Sequence, residues 1–471
     1  MIDWPSAALR AAEYIAIFVI GTGLVQTLFY IVQLLFAGRA LAQRPAVPAA
    51  SLLWRRYAGH APPIAILAPA YNEEVTIVES VNSLLALQYP DAEVIVINDG
   101  SKDGTLARLI AHYGLSPVQR LHDSSVVHQP IRGLYASPRL PNLLVVDKHN
   151  GGKSDALNAG INVARAPLFC SIDADSLIES DALLRVVRPF IEEPTLTVAV
   201  GGTIRIANGS RIASGRVVEV RLPRDFLGLV QIVEYLRAFL MARLALSQMQ
   251  VLTVISGAFG LFRRDLATEV GGYSHGTVGE DMELVVKLHR LLRERKQPYR
   301  IDFIPEPVCW TEAPDSFAVL GRQRARWQRG ALETFFKHRD MLFNPRYGRI
   351  GFVGFGHVLF VDVLGPIVEV LGYILMPLLY ALGLLAPEYL LAFLAITFTF
   401  GVFLSVTTLI LEEIMLRRLP RARDLAILTL VAVVENFGYR QLCNVWRVRG
   451  FWQFLRKQQG WGQMTRKGFS T

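Results

Sequence analysis

The chain has 471 residues, enough for two or three domains, and a formal net charge of +9 at neutral pH. Hydrophobic residues make up 52% of it and charged residues only 19%, which excludes a wholly soluble protein. The positive charge suits a protein that lies against anionic membrane lipid and handles a phosphate ligand. No aromatic-basic module of the usual kind is present, so we predict no nucleic-acid partner.

The chain opens with a candidate membrane anchor. Residues 14–38 carry no charged side chain and are long enough to cross a bilayer as a helix. A basic start and a small-residue cleavage site are both missing, so we expect a retained transmembrane helix rather than a signal peptide. Four arginines follow before residue 57, which places the next domain in the cytoplasm. Residues 1–59 are therefore predicted to form an anchor and a basic linker.

Residues 60–340 are predicted to form one catalytic α/β domain. Short apolar runs alternate there with helical patterns, which is typical of a mostly parallel, Rossmann-like sheet. We predict strands at residues 64–69, 93–97, 143–146 and 168–172. Polar residues cluster where these strands end, and open α/β sheets bind their ligands at that edge.

Two of these polar clusters are candidates for binding a nucleotide. Asp99 follows the second strand in Asn-Asp-Gly-Ser, where its carboxylate could bind a base or ribose or belong to an ordinary turn. The sequence Asn150-Gly151-Gly152-Lys153 precedes a predicted helix. Its glycines and helix N-terminus would let the backbone approach a phosphate, and Lys153 adds a charge. The alternative is a glycine-rich helix entry.

A third cluster is a candidate metal site. Asp173 and Asp175 are one residue apart, directly after the apolar strand at 168–172. One carboxylate could bind a sugar or ribose hydroxyl and the other a divalent cation that bridges a diphosphate. Mg²⁺ and Mn²⁺ favour such sites. The alternative is a helix N-cap.

A fourth cluster carries the candidate base. Glu280 and Asp281 follow Gly279 and open an amphipathic helix, whose positive N-terminus favours an ionised carboxylate. N-capping is the alternative role. Upstream, the loop around Ser256 and Gly257 is compatible with close approach to a sugar or with a simple strand bend.

The sequence Gln-Arg-Ala-Arg-Trp at residues 323–327 is a candidate acceptor site. On a helix, Gln323, Arg326 and Trp327 project from one face because they are spaced i, i+3 and i+4. An aromatic ring flanked by an amide and a cation suits a sugar chain, by stacking and by bonds to hydroxyls or phosphates.

The C-terminal part returns to the membrane. We predict an interfacial helix and two transmembrane helices within 341–424, at residues 365–386 and 389–411, joined by a tight turn at Pro387-Glu388. Arginines between 417 and 423 then mark the cytoplasmic side. Residues 425–446 contain Glu435 and Arg440, so we favour a re-entrant or interfacial segment over a full crossing. A basic cytoplasmic tail completes the region 425–471.

The cysteines indicate a reducing environment. Cys170, Cys309 and Cys443 are unclustered and form neither a metal-ligand pattern nor an even disulfide set. Core thiols are the expected role, in agreement with a cytoplasmic domain.

Taken in order, these motifs resemble the processive membrane glycosyltransferases of family 2. That group includes cellulose, chitin and hyaluronan synthases and the bacterial synthases of poly-β-1,6-N-acetylglucosamine. The resemblance covers about residues 60–340 and rests on the nucleotide-site aspartate, Asp-x-Asp, Glu-Asp and Gln-x-x-Arg-Trp. Residues 71–73, 97–101 and 151–158 look most like the poly-N-acetylglucosamine branch.

The resemblance implies a role for each motif residue. Asn72, Glu73, Asp99 and Lys153 would hold uridine diphosphate. Asp173 would touch the ribose or diphosphate, and Asp175 would bind the metal, Mg²⁺ or Mn²⁺. Asp281 would be the catalytic base, beside Glu280. Acceptor or diphosphate binding would fall to the remaining candidates, namely Ser256, Gly257, Glu280, Gln323, Arg326 and Trp327.

The resemblance also implies a GT-A domain inserted between transmembrane helices in the plasma (inner) membrane. The reaction would be inverting, processive transfer from a UDP-sugar to a growing β-linked polysaccharide, with secretion. With three firm membrane helices, a small membrane subunit or self-association would complete a channel. Two other functions stay open: a transferase adding one or a few sugars to a lipid, and an inactive receptor or channel subunit.

Overall fold

A computed structural model describes residues 4–43, 50–173, 176–213, 216–416 and 422–458. The chain forms two compact units. The sheet unit contains residues 45–228 and 247–313, and the helical unit contains residues 1–44, 229–246 and 314–463. This division differs from the predicted catalytic domain, because residues 229–246 and 314–340 pack within the helical unit.

The sheet unit is built on ten strands in the order β3-β4-β5-β2-β1-β6-β11-β8-β12-β7, with a separate two-stranded ribbon β9-β10. The strands are β1 (Ile64–Ala70), β2 (Ala92–Asp99), β3 (Ser116–Val118), β4 (Ile131–Ser137), β5 (Leu140–Lys148), β6 (Leu168–Ile172), β7 (Leu177–Ile178), β8 (Thr197–Ile206), β9 (Arg211–Ala213), β10 (Arg216–Glu219), β11 (Phe259–Arg263) and β12 (Arg300–Thr311).

The sheet is mixed rather than mostly parallel. Its centre β5-β2-β1-β6 is parallel, as the four apolar runs predicted. Strand β8 pairs in parallel with β12, but β11 is antiparallel to both β6 and β8. Antiparallel strands also flank the sheet, since β3 and β4 extend one edge and β7 the other. The strands at the two edges are short and antiparallel to their neighbours, and apolar runs in the sequence do not predict such strands.

Amphipathic helices cover the sheet. Within this unit they are α2 (Ala50–Tyr57), α3 (Ile77–Leu85), α4 (Thr105–Tyr113), α5 (Lys153–Val163), α6 (Ala182–Glu192), α9 (Arg264–Glu269) and α10 (Glu280–Glu294). Helix α5 is the most deeply placed, since nearly all of its residues are buried. It packs directly on the parallel centre, where a Cβ on Gly160 would lie 3.0 Å from Leu67 and 3.2 Å from Ile97. Close approach of helix and sheet therefore requires glycine at this position.

The helical unit contains three helices that are long and apolar enough to cross a membrane, among the described residues. They span Ala7–Ala42, Ile350–Ala381 and Pro387–Glu413. These three helices correspond to the three transmembrane helices that the sequence predicted. The second begins earlier than residue 365, because π-helical and α-helical turns from Ile350 lead into it without a break.

The α-helices of this unit are α1 (Trp4–Ala42), α7 (Phe226–Tyr235), α8 (Leu244–Gln248), α11 (Phe317–Lys337), α12 (Phe355–His357), α13 (Gly365–Ala381), α14 (Pro387–Leu394), α15 (Phe400–Leu416), α16 (Ala422–Val434) and α17 (Tyr439–Leu455). A π-helical stretch, Leu236–Arg243, connects α7 to α8. Further π-helical turns occupy Ile350–Gly354, Val358–Val363 and Ala395–Thr399.

The turn between the second and third apolar helices was misplaced in the sequence prediction. Pro387 and Glu388 begin α14 instead of forming the turn. The chain reverses just before them, where Gly383 adopts a left-handed φ of +69°. Proline at the first helical position is favoured because its missing N–H would have no partner there.

A helix break separates α16 from α17. Gly438 has φ +108°, a conformation that only glycine adopts readily, and α16 has 13 residues, too few to cross a bilayer. Glu435 pairs with Arg237 and accepts from Ser405 Oγ at 2.6 Å. Arg440 instead lies 3.8 Å from Glu369. The two charges thus find different partners, in keeping with the re-entrant or interfacial segment that we favour; the tail after residue 458 lies outside the described residues.

Candidate active site

The carboxyl ends of the central strands bring several predicted site residues together. Lys153, the first residue of α5, forms an ion pair with Asp173, which follows β6. The same Nζ donates to the Gly257 carbonyl at 3.1 Å. In turn, the Gly257 N–H donates to Asp281 Oδ2 at 3.0 Å. Lysine, two carboxylates and a backbone loop segment thus meet at one edge of the sheet.

Asp281 is held in a fixed orientation at the start of α10. Its Oδ2 accepts from Gly257, and its Oδ1 accepts from the Met282 N–H at 2.8 Å. The side chain remains half-buried. A carboxylate oriented by two backbone donors and partly open to solvent can accept a proton from a bound hydroxyl group.

Glu280 lies beside Asp281 in a different environment. It is 4% exposed, and its Oε2 has no hydrogen-bond partner among the described residues. Burial raises the pKa of its carboxyl group to about 7; nearby Lys153 opposes the shift and Asp281 adds to it. Burial works against the charge of Lys153 too, but Asp173 and Glu280 outweigh it and raise the lysine pKa. Burial thus favours the protonated form of Glu280 relative to an ordinary glutamate.

Asp99 organises the glycine loop. Only 3% exposed, it accepts from Lys148 Nζ at 2.6 Å, from the Gly151 N–H at 3.0 Å and from the Gly152 N–H at 2.7 Å. These two N–H groups are therefore bonded to Asp99, and approach of the glycine loop to a phosphate stays a prediction. The parallel register places Asp99 opposite Lys148, within reach of the loop that follows β5. Direct contact of Asp99 with a nucleotide stays a prediction.

Asn72 and Glu73 follow β1 and pack against the loop after β2. Asn72 has φ +56°, which asparagine tolerates better than most residues. Its Oδ1 accepts from the Lys102 N–H at 2.8 Å, and its own N–H donates to Ser101 Oγ at 3.0 Å. The Glu73 N–H donates to Thr105 Oγ1 at 2.9 Å. The segments that follow β1 and β2 are thus joined by hydrogen bonds.

Ser256 and Gly257 form the loop before β11. The Ser256 carbonyl accepts from the Phe259 N–H at 3.1 Å. A Cβ on Gly257 would lie 3.0 Å from Lys153 Nζ and 3.7 Å from Asp281. Glycine here lets the backbone enter the charged cluster, so Gly257 belongs to the site by geometry.

The metal prediction rests on two aspartates, of which the structure describes one. Asp173 is partly exposed, with 28% of its side chain accessible. Asp175 lies outside the described residues. Among the described residues, no group of three or more histidine, cysteine or acidic side chains could hold an ion. Carboxylate oxygen is nevertheless the donor type that Mg²⁺ and Mn²⁺ prefer, and phosphate oxygens and water commonly supply the other ligands.

The Gln-x-x-Arg-Trp residues lie on α11 in the helical unit. The helix is present as predicted, but the three side chains differ in exposure: Gln323 is buried, Arg326 is half-buried and Trp327 is 45% exposed. Gln323 is occupied by Arg324, whose Nη1 donates to its Oε1 at 2.7 Å. Of the three, Trp327 therefore presents the most accessible surface to a ligand.

Sequence reasoning missed the residues that hold this motif. Arg324 stacks on Trp327, 4.4 Å from the ring centroid, and its Nη2 lies 2.6 Å from Glu234 of α7. Tyr439 also donates to Glu234, at 2.9 Å. An acidic residue in the mostly apolar segment 226–248 was the available signal, because a charge in such a segment requires a partner.

A buried charged group in the sheet unit was also missed. Lys148, 0% exposed, pairs with Asp99 and Asp155. Asp155 belongs to the first turn of α5, two residues after the predicted Lys153. The sequence Gly-Gly-Lys-Ser-Asp contained this acidic residue, and its basic partner Lys148 lies just before that motif, at the end of β5.

Comparison with known proteins agrees with this geometry. The solved structure of the mannosyltransferase PcManGT from Pyrobaculum calidifontis, in complex with GDP-Man and Mn²⁺, superposes with a TM-score of 0.52. The superposition covers 93% of this chain and 99% of that one, at 17% sequence identity. This protein therefore has the GT-A glycosyltransferase fold.

Residues 65–271 match the model of the family described as Glycosyl transferase family 2. This match agrees with the resemblance that the sequence motifs indicated.

The chain is also similar to curated polysaccharide synthases. It is 30% identical over 274 residues to the poly-beta-1,6-N-acetyl-D-glucosamine synthase of Staphylococcus epidermidis, and over 275 residues to that of Staphylococcus aureus strain COL. Both alignments cover 58% of this chain, which spans 56% of the length of these relatives.

Proposed function

We propose that this protein is a membrane enzyme that transfers a hexose or N-acetylhexosamine from a UDP-sugar to a growing β-linked polysaccharide. The observation that carries the proposal is the strand-end cluster of Lys153, Asp173, Glu280 and Asp281 in a family 2 domain. Similarity to poly-N-acetylglucosamine synthases favours a related product.

Asp281 acts as the base in this proposal. It removes the proton from an acceptor hydroxyl as that oxygen attacks the anomeric carbon of an α-linked donor. The carbon–oxygen bond to UDP breaks, the configuration inverts and a β-glycosidic bond forms. The backbone N–H groups of Gly257 and Met282 donate to this carboxylate and fix its orientation. General-base assistance of this kind contributes roughly 10²–10⁴-fold to the rate.

Donor binding falls to the ends of β1, β2 and β6. Asn72 and Glu73 lie against the loop after β2, where a uridine would be held. Lys153 supplies the cation for the diphosphate, since the two glycine N–H groups before it are bound to Asp99. Asp173 and Asp175 would hold Mg²⁺ or Mn²⁺, which stabilises negative charge on the departing diphosphate when bound.

The acceptor is assigned to α11. Trp327 offers an exposed ring for the apolar face of a sugar, with Arg324 fixed beneath it by Glu234. Arg326 lies on the same helix and would add polar contacts to the acceptor or diphosphate, whereas Gln323 is buried and accepts from Arg324. A stacking platform that holds the chain end between additions supports processive synthesis.

The enzyme is placed in the plasma (inner) membrane with its sheet unit in the cytoplasm. Three apolar helices among the described residues supply the anchor, and arginines follow the first of them. We infer secretion of the product across this membrane. A small membrane subunit or a second copy would complete the path, because three crossings enclose little space.

The modest number of crossings also supports one alternative. A non-processive transferase that adds one or a few sugars to a lipid needs no channel, and three candidate spans in the described residues suffice for it. The two functions differ in product size, so a single assay separates them.

The test uses purified protein in lipid with a panel of UDP-sugars and Mg²⁺ or Mn²⁺. UDP release identifies the donor, and sizing of the labelled product distinguishes polymer from short glycolipid. We expect a polymer that Asp281→Asn does not make. UDP release from none of the donors would contradict the proposal, and a product of one or a few sugars on lipid would select the alternative.

A further inference from the structure

A buried charged network lies behind the donor site. Lys148 is 0% exposed and its ammonium group contacts two carboxylates, Asp99 and Asp155. It also donates to the His149 carbonyl at 2.6 Å. Since a buried ammonium is stable only when its donors are satisfied, Lys148 fixes the β2 end to the first turn of α5.

Asp155 extends this network to a second loop. Its Oδ2 lies 3.0 Å from His275 Nε2, and both of its oxygens accept from the Gln129 N–H, at 3.1 and 2.9 Å. Because an ionised carboxylate only accepts hydrogen bonds, Nε2 is the donor. His275 belongs to the segment 270–279 that joins α9 to α10 and ends directly before Glu280 and Asp281.

The same segment is held by α5 at a neighbouring point. Asn158 clasps the backbone of Tyr273, accepting from its N–H at 2.7 Å and donating to its carbonyl at 2.9 Å. After Tyr273, His275 is a further side-chain attachment of the segment to α5 before the base. Gly276, with φ +75°, follows immediately and gives the backbone freedom to move if that attachment is lost.

We propose that His275 is a positioning residue: its bond to Asp155 ties the segment that leads into Asp281 to the glycine loop held by Lys148 and Asp99. The proposal rests on the proposed function, since it assigns to His275 the placement of the base. Helix α5 is the common support, because its first turn presents Lys153 to Asp173 and Asp155 to His275.

Exposure makes His275 a usable probe. Its side chain is 43% accessible, so its removal opens no cavity in the core. Lys148→Met is a poorer test, because it would leave Asp99 and Asp155 as buried carboxylates without a cation and threaten folding.

The experiment compares His275→Ala, His275→Gln and wild type in full-length protein in lipid. We expect kcat for transfer to fall roughly ten- to hundredfold in His275→Ala, because a small displacement of a catalytic group has effects of that size. UDP affinity and the thermal midpoint should stay near wild type. Glutamine retains an N–H donor and should recover part of kcat.

His122→Ala is the matched control, because His122 is exposed and its ring bonds to the carbonyl of nearby Arg120, away from Asp155 and Asp281. An unchanged kcat in His275→Ala would overturn the positioning role. A parallel loss of UDP affinity, or a lowered thermal midpoint, would instead make His275 structural. Wild-type protein without any transfer would contradict the proposed function and not this inference alone.

Discussion

Adjacent carboxyl groups at the start of α10 have different environments. Asp281 is half-buried and accepts hydrogen bonds from two backbone N–H groups. Glu280 is almost inaccessible, and one of its oxygens has no hydrogen-bond partner in the part of the chain that the structure describes. The helical periodicity explains the difference, because neighbouring positions on a helix face directions about 100° apart. In the proposed mechanism Asp281 accepts the proton, and Glu280 lies beside it.

Replacement of the proposed base should separate catalysis from binding. We expect Asp281→Asn to abolish transfer and leave UDP affinity largely intact, because the amide keeps the shape but cannot accept the proton. Sugar transfer and UDP binding by calorimetry are the two measurements. Near-normal turnover in this variant would remove Asp281 from the mechanism.

Glu280 should make stability depend on pH. Its pKa is raised from 4.5 to about 7, so the folded protein keeps a proton that the unfolded chain releases. That stabilisation is complete below pH 4.5 and is lost as the pH rises to 7. The Glu280→Gln side chain is neutral at every pH. At about pH 8 we therefore expect the free energy of unfolding of this variant to exceed that of wild type by up to roughly 3 kcal/mol.

The thermal midpoint in detergent, followed at several pH values, measures this difference. Little advantage is expected at about pH 4, where Glu280 is protonated in both folded and unfolded chains. An equal gain at every pH would instead indicate that the amide packs better than the acid.

Metal dependence should follow the Asp-x-Asp pair. We expect EDTA to weaken UDP binding by wild type and Asp175→Ala to have a similar effect, because the cation would bridge carboxylate and diphosphate. Titration of UDP with and without Mn²⁺ is the measurement. Affinity indifferent to both treatments would show that Lys153 alone holds the diphosphate.

At the scale of elements, α11 shows how a motif depends on distant support. Trp327 would be a mobile surface ring without Arg324, which lies under it and is anchored by Glu234 of α7. The sequence spacing predicted a common helix face, and the helix is present. It did not predict the burial of Gln323, since that depends on how α11 packs against α17 and the π-helical turn Val358–Val363.

Removal of the ring should affect the acceptor more than the donor. We expect Trp327→Ala to reduce polymer synthesis roughly ten- to hundredfold, by analogy with base stacking worth about 1–3 kcal/mol. Hydrolysis of the UDP-sugar by water should change little. Phe317→Ala serves as control, since it removes another exposed ring from the same helix. Equal losses in both reactions would make Trp327 a structural residue.

The strands of the sheet centre were predictable for a simple reason. Residues 64–69, 93–97 and 168–172 are buried on both faces and read as continuous apolar runs. The antiparallel strand β11 and the network of Asp99, Lys148 and Asp155 were not predictable. The position of β11 and the contacts of this network both depend on how the strands pair. For example, Asp99 meets Lys148 because β2 and β5 pair in that register, and no local sequence pattern specifies the register.

At the scale of the whole molecule, the number of crossings decides where the C-terminus lies. Three apolar helices and a broken fourth segment predict that the chain after α17 is cytoplasmic. A cysteine placed at Lys457, which is exposed, should react with an impermeant reagent only from the cytoplasmic side of sealed vesicles. Labelling from the outer side alone would add a fourth crossing and contradict the re-entrant interpretation.

The ion pair of Arg237 and Glu435 forms late in the synthesis of the protein. The two residues are 198 positions apart, so the ribosome delivers the cation long before its carboxylate. Until α16 arrives, Arg237 must remain hydrated or be shielded by a chaperone, because an unpaired charge in an apolar environment costs several kcal/mol. Chain release without the last two helices would therefore yield an incompletely assembled protein, which cellular quality control would recognise by that exposed arginine.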